Sequence, residues 1–321
     1  MNALHDVFDA AGVQAAQILG LWHVFVWTCT AVFTAILLVL IVALWRAPRS
    51  SGETPPDLAS VDAPEPGPRR SVTTAAIASA LGLVALVVAS VFTDRALARM
   101  SLVDAVNIEV TAHQWWWTAR YLNGPVSDSF VTANEIHVPV GKPVIVTLKA
   151  DDVIHSLWVP SLAGKKDLIP GRTSKMHFRA DQAGVYRGQC AEFCGYQHAL
   201  MGLLVIAQPQ AQFDAWAAAQ RKPAPEPADA RAIRGRDLFL SQSCAMCHAV
   251  QGTLANAQRA PDLTHVASRQ TLASGTLPNT PSDLAAWIAD PQKIKPGTNM
   301  PATQLSSEDL AALVAYLGTL K

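Results

Sequence analysis

The chain has 321 residues, half of them hydrophobic, and 25 Lys and Arg balance 25 Asp and Glu. That length exceeds what one core usually holds, so two or more domains are expected. The neutral balance, without basic runs, speaks against a nucleic-acid partner and against a broadly basic membrane-binding face. Four of the five cysteines fall in two short motifs; the fifth, Cys29, lies in an apolar run and reads as a small buried hydrophobe.

Residues 1–20 contain no Lys or Arg, unlike the cationic start of a secretory signal, and read as an extracytoplasmic N-terminal segment. Two stretches, 21–46 and 72–95, are long and apolar enough to cross a bilayer, for which about 20 residues are needed. Trp22 and Trp27 mark one end of the first stretch, and Trp45 with Arg46 the other, as interfacial anchors do. The loop 47–71 is Pro-rich and polar and carries Arg49, Arg69 and Arg70. On the positive-inside rule it is cytoplasmic, which puts both termini and all later domains outside, although Arg95 and Arg99 soften the bias.

From 104 to 208 the pattern changes to short alternating segments of β-branched and aromatic residues. Strands are expected at 108–118, 135–138, 144–149, 174–178, 185–189 and 203–207, with turns at Gly141-Lys-Pro143, Pro170-Gly171 and Ala183-Gly184. Strands at that spacing predict an all-β sandwich.

The loop before the last strand reads Cys190-Ala-Glu-Phe-Cys-Gly-Tyr-Gln-His-Ala-Leu-Met201. Thiolate, imidazole and thioether are the donors that suit copper in electron transfer. A mononuclear site needs one Cys, so the pair Cys190 and Cys194 suggests two coppers bridged by two thiolates. A second imidazole is available from Asp152-Val-Ile-His155-Ser-Leu-Trp-Val-Pro160. A disulfide leaves His198 and Met201 unexplained, and structural zinc rarely recruits a Met; both remain competitors by residue type. The motif resembles the copper A centre of subunit II of the haem-copper oxidases, on a cupredoxin domain. That resemblance implies His155, Cys190, Cys194, His198 and Met201 as ligands, with the Glu192 carbonyl completing the set. It further implies that the Glu192 carboxylate contacts a magnesium ion at the boundary with subunit I, and that Trp115 is a surface electron-transfer residue. Trp115 belongs to His113-Gln-Trp-Trp-Trp117, whose middle position is often Tyr in the family. The family's carboxylate at the start of the second span has no counterpart in Arg69-Arg70-Ser-Val-Thr-Thr, so no proton-path role is expected there.

Residues 209–228 read as a short helix at 211–220 followed by a Pro-rich tether with a reach of about 20 Å at roughly 3.1 Å per residue. Beyond it, Cys244-Ala-Met-Cys247-His248 has the spacing of covalent haem c attachment, with a redox or zinc Cys pair as the alternative. His/Met ligation is typical of cytochromes c, and Met246 is locked inside the box, so Met300 is the available thioether. Bis-His ligation through His265 stays open. Residues 229–321 resemble an all-α class I cytochrome c, with an opening helix at 230–240 and a closing helix at 307–320. The resemblance implies that the Pro261 carbonyl orients His248. Trp287 is either a haem-edge or a core residue.

Together the two-span hairpin, the cupredoxin domain and the cytochrome resemble oxidase subunits II with a fused haem c. Haem-copper sites need several intramembrane imidazoles, and His23 is the only one in the two spans. The oxygen site is therefore expected in a separate subunit I. The implied chain is a two-pass protein of the bacterial inner membrane with both redox domains on the periplasmic side. Its implied partners are subunit I, other oxidase subunits, membrane lipid, and an upstream cytochrome c or cytochrome bc complex as donor. A copper A subunit of a nitric oxide reductase is the alternative.

Overall fold

The computed structural model describes residues 5–47 and 66–321. Most of the expected cytoplasmic loop, including Arg49, lies outside the described residues.

Two long helices open the chain, α1 over Val13–Arg46 and α2 over Pro66–Ala98. Each takes in one expected span and extends beyond it. Leu, Val and Ala face outward all round, the pattern of a helix whose solvent is apolar. Cys29 is exposed on α1, not buried as the sequence suggested. The hydroxyls along both helices turn back onto the backbone: Thr28 Oγ1 donates to the Val24 carbonyl at 2.8 Å and Ser90 Oγ to the Leu86 carbonyl at 3.0 Å. Each is thereby satisfied without water. Both helices are long and apolar enough to cross a membrane.

The β region is a sandwich of two five-stranded sheets. The first runs β3 (Phe130–Ala133), β2 (Trp116–Tyr121), β1 (Val106–His113), β5 (Pro143–Ala150), β8 (Ser174–Arg179). The second runs β4 (Glu135–Pro139), β10 (Gly202–Gln208), β9 (Gly184–Cys190), β6 (His155–Trp158), β7 (Lys166–Leu168). Strands β1, β2 and β5 alternate buried and part-exposed residues, so Ile108, Val110, Trp117, Val146 and Leu148 fill the space between the sheets.

The single strand expected at 108–118 is a hairpin. Side chains draw its middle out of the sheet: the Asp152 carboxylate accepts from Gln114 N at 2.6 Å, and the Asn134 side chain accepts from Trp117 N at 2.9 Å. Strands β3, β6 and β7 were not foreseen, being too short to show a period. Helix α3 (Gln210–Gln220) closes one side, with Trp216 stacked on His137 at 4.0 Å and edge-on to Tyr121 and Phe130.

The C-terminal region is helical. Asp229, Thr280 and Ser306 cap α4 (Ala230–Ser241), α5 (Pro281–Ala289) and α7 (Ser307–Leu317), each accepting from a backbone N–H of the first turn. A short α6 (Pro291–Ile294) follows α5 directly. Helices α4 and α7 pack closely because Gly235 lies against the Ala312 carbonyl, where a Cβ would collide with backbone. Phe239 and Tyr316 meet beside this contact at 5.9 Å. Helix α5 was not expected as such, although it carries Trp287, which is half-buried. The linker is more than a tether: Ala224 N donates to the Gln251 carbonyl at 2.9 Å, and the Lys222 carbonyl lies 3.1 Å from His265 Nε2.

Candidate metal centre

Strands β9 and β10 are antiparallel neighbours, and the loop between them starts at Cys190 and ends at Met201. Cys190 N donates to the Met201 carbonyl at 3.0 Å, which closes the loop on itself. His155 arrives from β6, which pairs with β9 at Leu157 and Cys190. Register alone therefore brings residues 35 positions apart to one point.

The His155 ring and the Cys190 and Cys194 sulfurs lie within 4.8 Å of one another, and all three residues are buried. His155 Nδ1 is 3.8 Å from Cys190 Sγ, and His198 Nδ1 is 3.6 Å from Cys194 Sγ. Met201 Sδ is 3.8 Å from Cys194 Sγ, and the Glu192 carbonyl accepts from Cys190 Sγ at 3.1 Å. All six expected donors thus surround one spot. Both sulfurs are free thiols, so the disulfide reading does not describe this structure. A hydrogen bond from Cys194 holds the Cys190 thiol well below its usual range, while the same bond pushes Cys194 up. A thiophilic cation would displace the protons of both thiols.

Asp152 has no role that the sequence motif alone assigns, and the structure gives it one. Its Oδ1 lies 2.7 Å from His155 Nε2, leaving Nδ1 turned toward the sulfurs. A carboxylate three residues before the imidazole was the available signal. Trp117 packs edge-on to the same ring at 6.2 Å.

Trp115 sits beside the loop, and its indole N–H donates to the Cys194 carbonyl at 2.9 Å. It is only 9% exposed, so it is not the surface residue the sequence reading expected. Its neighbour Trp116 is half-buried and stacked on His113. Two groups of the C-terminal region reach the Trp115 backbone carbonyl. Ser274 Oγ donates to the Trp115 carbonyl at 2.9 Å, and Lys295 Nζ lies 3.4 Å from the same oxygen.

In the second motif, His248 Nδ1 lies 2.7 Å from the Pro261 carbonyl. A proton on Nδ1 leaves the Nε2 lone pair free, and burial lowers the ring's pKa, which favours that neutral form. Cys244 and Cys247 are half-buried free thiols. Both ring nitrogens of His265 face carbonyls, of Lys321 at 2.9 Å and Lys222 at 3.1 Å, so neither is offered as a ligand. Met300 is half-buried, its carbonyl accepting from Gln292 Nε2 at 3.0 Å. The loop that carries it rests on the thiol loop. The Gln197 amide donates to the Pro296 carbonyl, Asn299 Nδ2 donates to the Gln114 carbonyl at 3.0 Å, and Gly297 lies against Tyr196.

The family description "Cytochrome C oxidase subunit II, periplasmic domain" matches residues 126–208, and "Cytochrome c" matches 232–321. The cytochrome c oxidase subunit 2 of Alkalihalophilus pseudofirmus is 43% identical over 68% of this chain and 62% of that protein. The chain is similar to oxidase subunits II. It combines the oxidase periplasmic domain with a cytochrome c domain in one polypeptide. The subunits 2 of a Bacillus species and of Bacillus subtilis are 35% and 32% identical, each over 68% of this chain and 63% of the relative. The chain thus spans somewhat under two thirds of these relatives' length. The crystal structure of the periplasmic domain of subunit II of Bradyrhizobium japonicum is 30% identical, covering 38% of this chain and 97% of that one with a TM-score of 0.35. The nitric oxide reductase alternative gains no support from these relatives.

A subunit II domain followed by a cytochrome c domain implies copper A and haem c. The residues present fit both. Two thiols, two imidazoles, a thioether and a carbonyl converge on one spot, a donor set that suits copper and exceeds the four ligands of structural zinc. The attachment box offers two unpaired thiols beside an imidazole already oriented by a carbonyl.

Proposed function

We propose that the chain is the electron-accepting subunit of a terminal cytochrome c oxidase of the bacterial inner membrane. When bound, haem c and copper A would supply one-electron couples to an oxidase whose separate subunit I reduces oxygen to water and pumps protons, with an upstream cytochrome c or cytochrome bc complex as donor. The carrying observation is the contact between the two ligand loops, where Gln197 meets Pro296 and Asn299 meets Gln114.

In this reading Cys190, Cys194, His155, His198, Met201 and the Glu192 carbonyl hold the copper, and Asp152 fixes the His155 tautomer. Cys244 and Cys247 would bind haem covalently, His248 and Met300 would ligate its iron, and Pro261 orients His248. Trp115 lies between the two regions and is the candidate electron route. Because Ser274 and Lys295 already hold the Trp115 carbonyl, the cytochrome domain takes the place of a diffusing donor at that face of the copper domain. The donor then meets the cytochrome domain. Glu192 is exposed beside the loop, which leaves its carboxylate free for a magnesium ion shared with subunit I. Helices α1 and α2 anchor the chain in lipid, with both redox domains on the periplasmic side.

Truncation after Lys222 tests the reading. Copper uptake, assembly with subunit I and oxidation of small artificial reductants should persist, while turnover with the natural donor should fall sharply. Full turnover with that donor after truncation would refute it.

A further inference from the structure

Lys295 is an unusual residue in this fold: a lysine only 3% exposed, with no carboxylate partner among the described ion pairs. Its ammonium is instead enclosed by three backbone carbonyls, of Leu200 at 2.9 Å, Ala273 at 3.3 Å and Trp115 at 3.4 Å. An ammonium has three N–H donors, so the cage satisfies it fully. Only Ala273 belongs to the cytochrome domain; Trp115 and Leu200 belong to the copper domain. Burial lowers the Lys295 pKa to about 8, which still leaves the ammonium charged at neutral pH.

Other buried polar groups cross the same seam. Glu135 Oε1 accepts from Gln270 N at 2.6 Å and Thr271 N at 3.0 Å. Ser274 Oγ reaches the Trp115 carbonyl at 2.9 Å and Asn134 Oδ1 at 3.2 Å, and Gly202 N donates to the Ser274 carbonyl at 3.0 Å. Such groups are costly to bury unless paired, and here they are paired across the two domains. A domain that merely collided with its neighbour at the end of a tether would leave these groups in water.

We infer that Lys295 is a positioning residue that fixes the cytochrome domain on the copper domain, by closing a carbonyl cage to which both domains contribute. It acts through Trp115, whose carbonyl takes Lys295 and Ser274 while its indole N–H holds the Cys194 carbonyl. The pose of the haem domain is thereby tied to the thiol loop. This deepens the proposed function, which rests on contact between the two domains but does not say which residue fixes it.

The test uses the full-length metal-loaded protein with a protease recognition sequence inserted between Lys222 and Pro223. After cutting, the haem domain of the parent should co-elute with the copper domain in dilute solution. Lys295→Met should weaken that association by about a hundredfold or more, and Ser274→Ala by about tenfold, with haem and copper absorption intact in both. In the uncut chains, dipolar coupling between haem and copper spins should give one narrow distance for the parent and a broad range for Lys295→Met. A cut parent that separates at once would overturn the inference. So would variants that stay together, or the same narrow distance in parent and Lys295→Met. Neither readout depends on the direction of electron flow, so failure of the proposed function would leave them unchanged.

Discussion

Asp152 meets the His155 ring at Nε2, and that single contact decides which nitrogen faces the thiol pair. Carboxylates in this position typically change metal affinity by about 10–100-fold. Asp152→Ala should therefore lower copper affinity by about that factor in a chelator competition, with the sandwich still folded; unchanged affinity would remove the role. Glu192 divides by atom, since its carbonyl reaches the thiol loop while its carboxylate is exposed. Glu192→Gln should retain copper but lose the manganese signal of the assembled oxidase, and an unaltered signal would leave a merely solvated acid. Trp115 and Trp116 offer an internal comparison, because only Trp115 donates to the Cys194 carbonyl. In flash reduction, Trp115→Phe should slow copper reduction more than Trp116→Phe, and equal small effects would take Trp115 off the route.

At the scale of elements, β4 carries two titratable groups with opposite behaviour, Glu135 buried and His137 half-buried. Burial raises Glu135 from 4.5 to about 7, and burial lowers His137, under Trp216, from 6.5 to about 4. Native Glu135 keeps a proton that the unfolded chain releases, so its contribution to stability is lost as pH rises from 4.5 to 7. Native His137 refuses a proton that the unfolded chain accepts, so its contribution is lost as pH falls from 6.5 to 4. Each slope approaches about 1.4 kcal/mol per pH unit. Between pH 4.5 and 6.5 the two oppose each other. Glu135→Gln should therefore expose a stability that rises with pH in that window, and His137→Phe one that falls. Unfolding midpoints of the copper domain across the window check both signs, and two flat profiles would contradict the assignment.

Local patterns carried much of the architecture. The apolar spans, the alternation of β5 and the capped helices α4 and α7 all depend on neighbours in sequence. The thiol loop was legible because five of the six donors fall within Cys190–Met201, and the haem box because its spacing is fixed chemistry. The hairpin at Gln114–Trp115 was not, because it is made by Asp152 and Asn134, which no period in 108–118 reveals.

For the whole molecule, the seat of the cytochrome domain was the largest feature hidden in the sequence. Lys295 and Trp115 are 180 residues apart, and Pro296-Gly-Thr-Asn-Met-Pro301 looks like any haem-ligand loop until Gln197 and Asn299 join it to the copper domain. A stretch read as a reaching tether is partly laid along the cytochrome domain, so contact, and not effective concentration alone, brings the two centres together. Electrons received at the haem are expected to pass to the copper within one docked chain. Flash reduction of the haem in the purified, metal-loaded chain tests it directly. The account predicts that haem reoxidation matches copper reduction one for one, at a rate independent of protein concentration. A haem that stays reduced, or a rate that climbs with concentration, would contradict it.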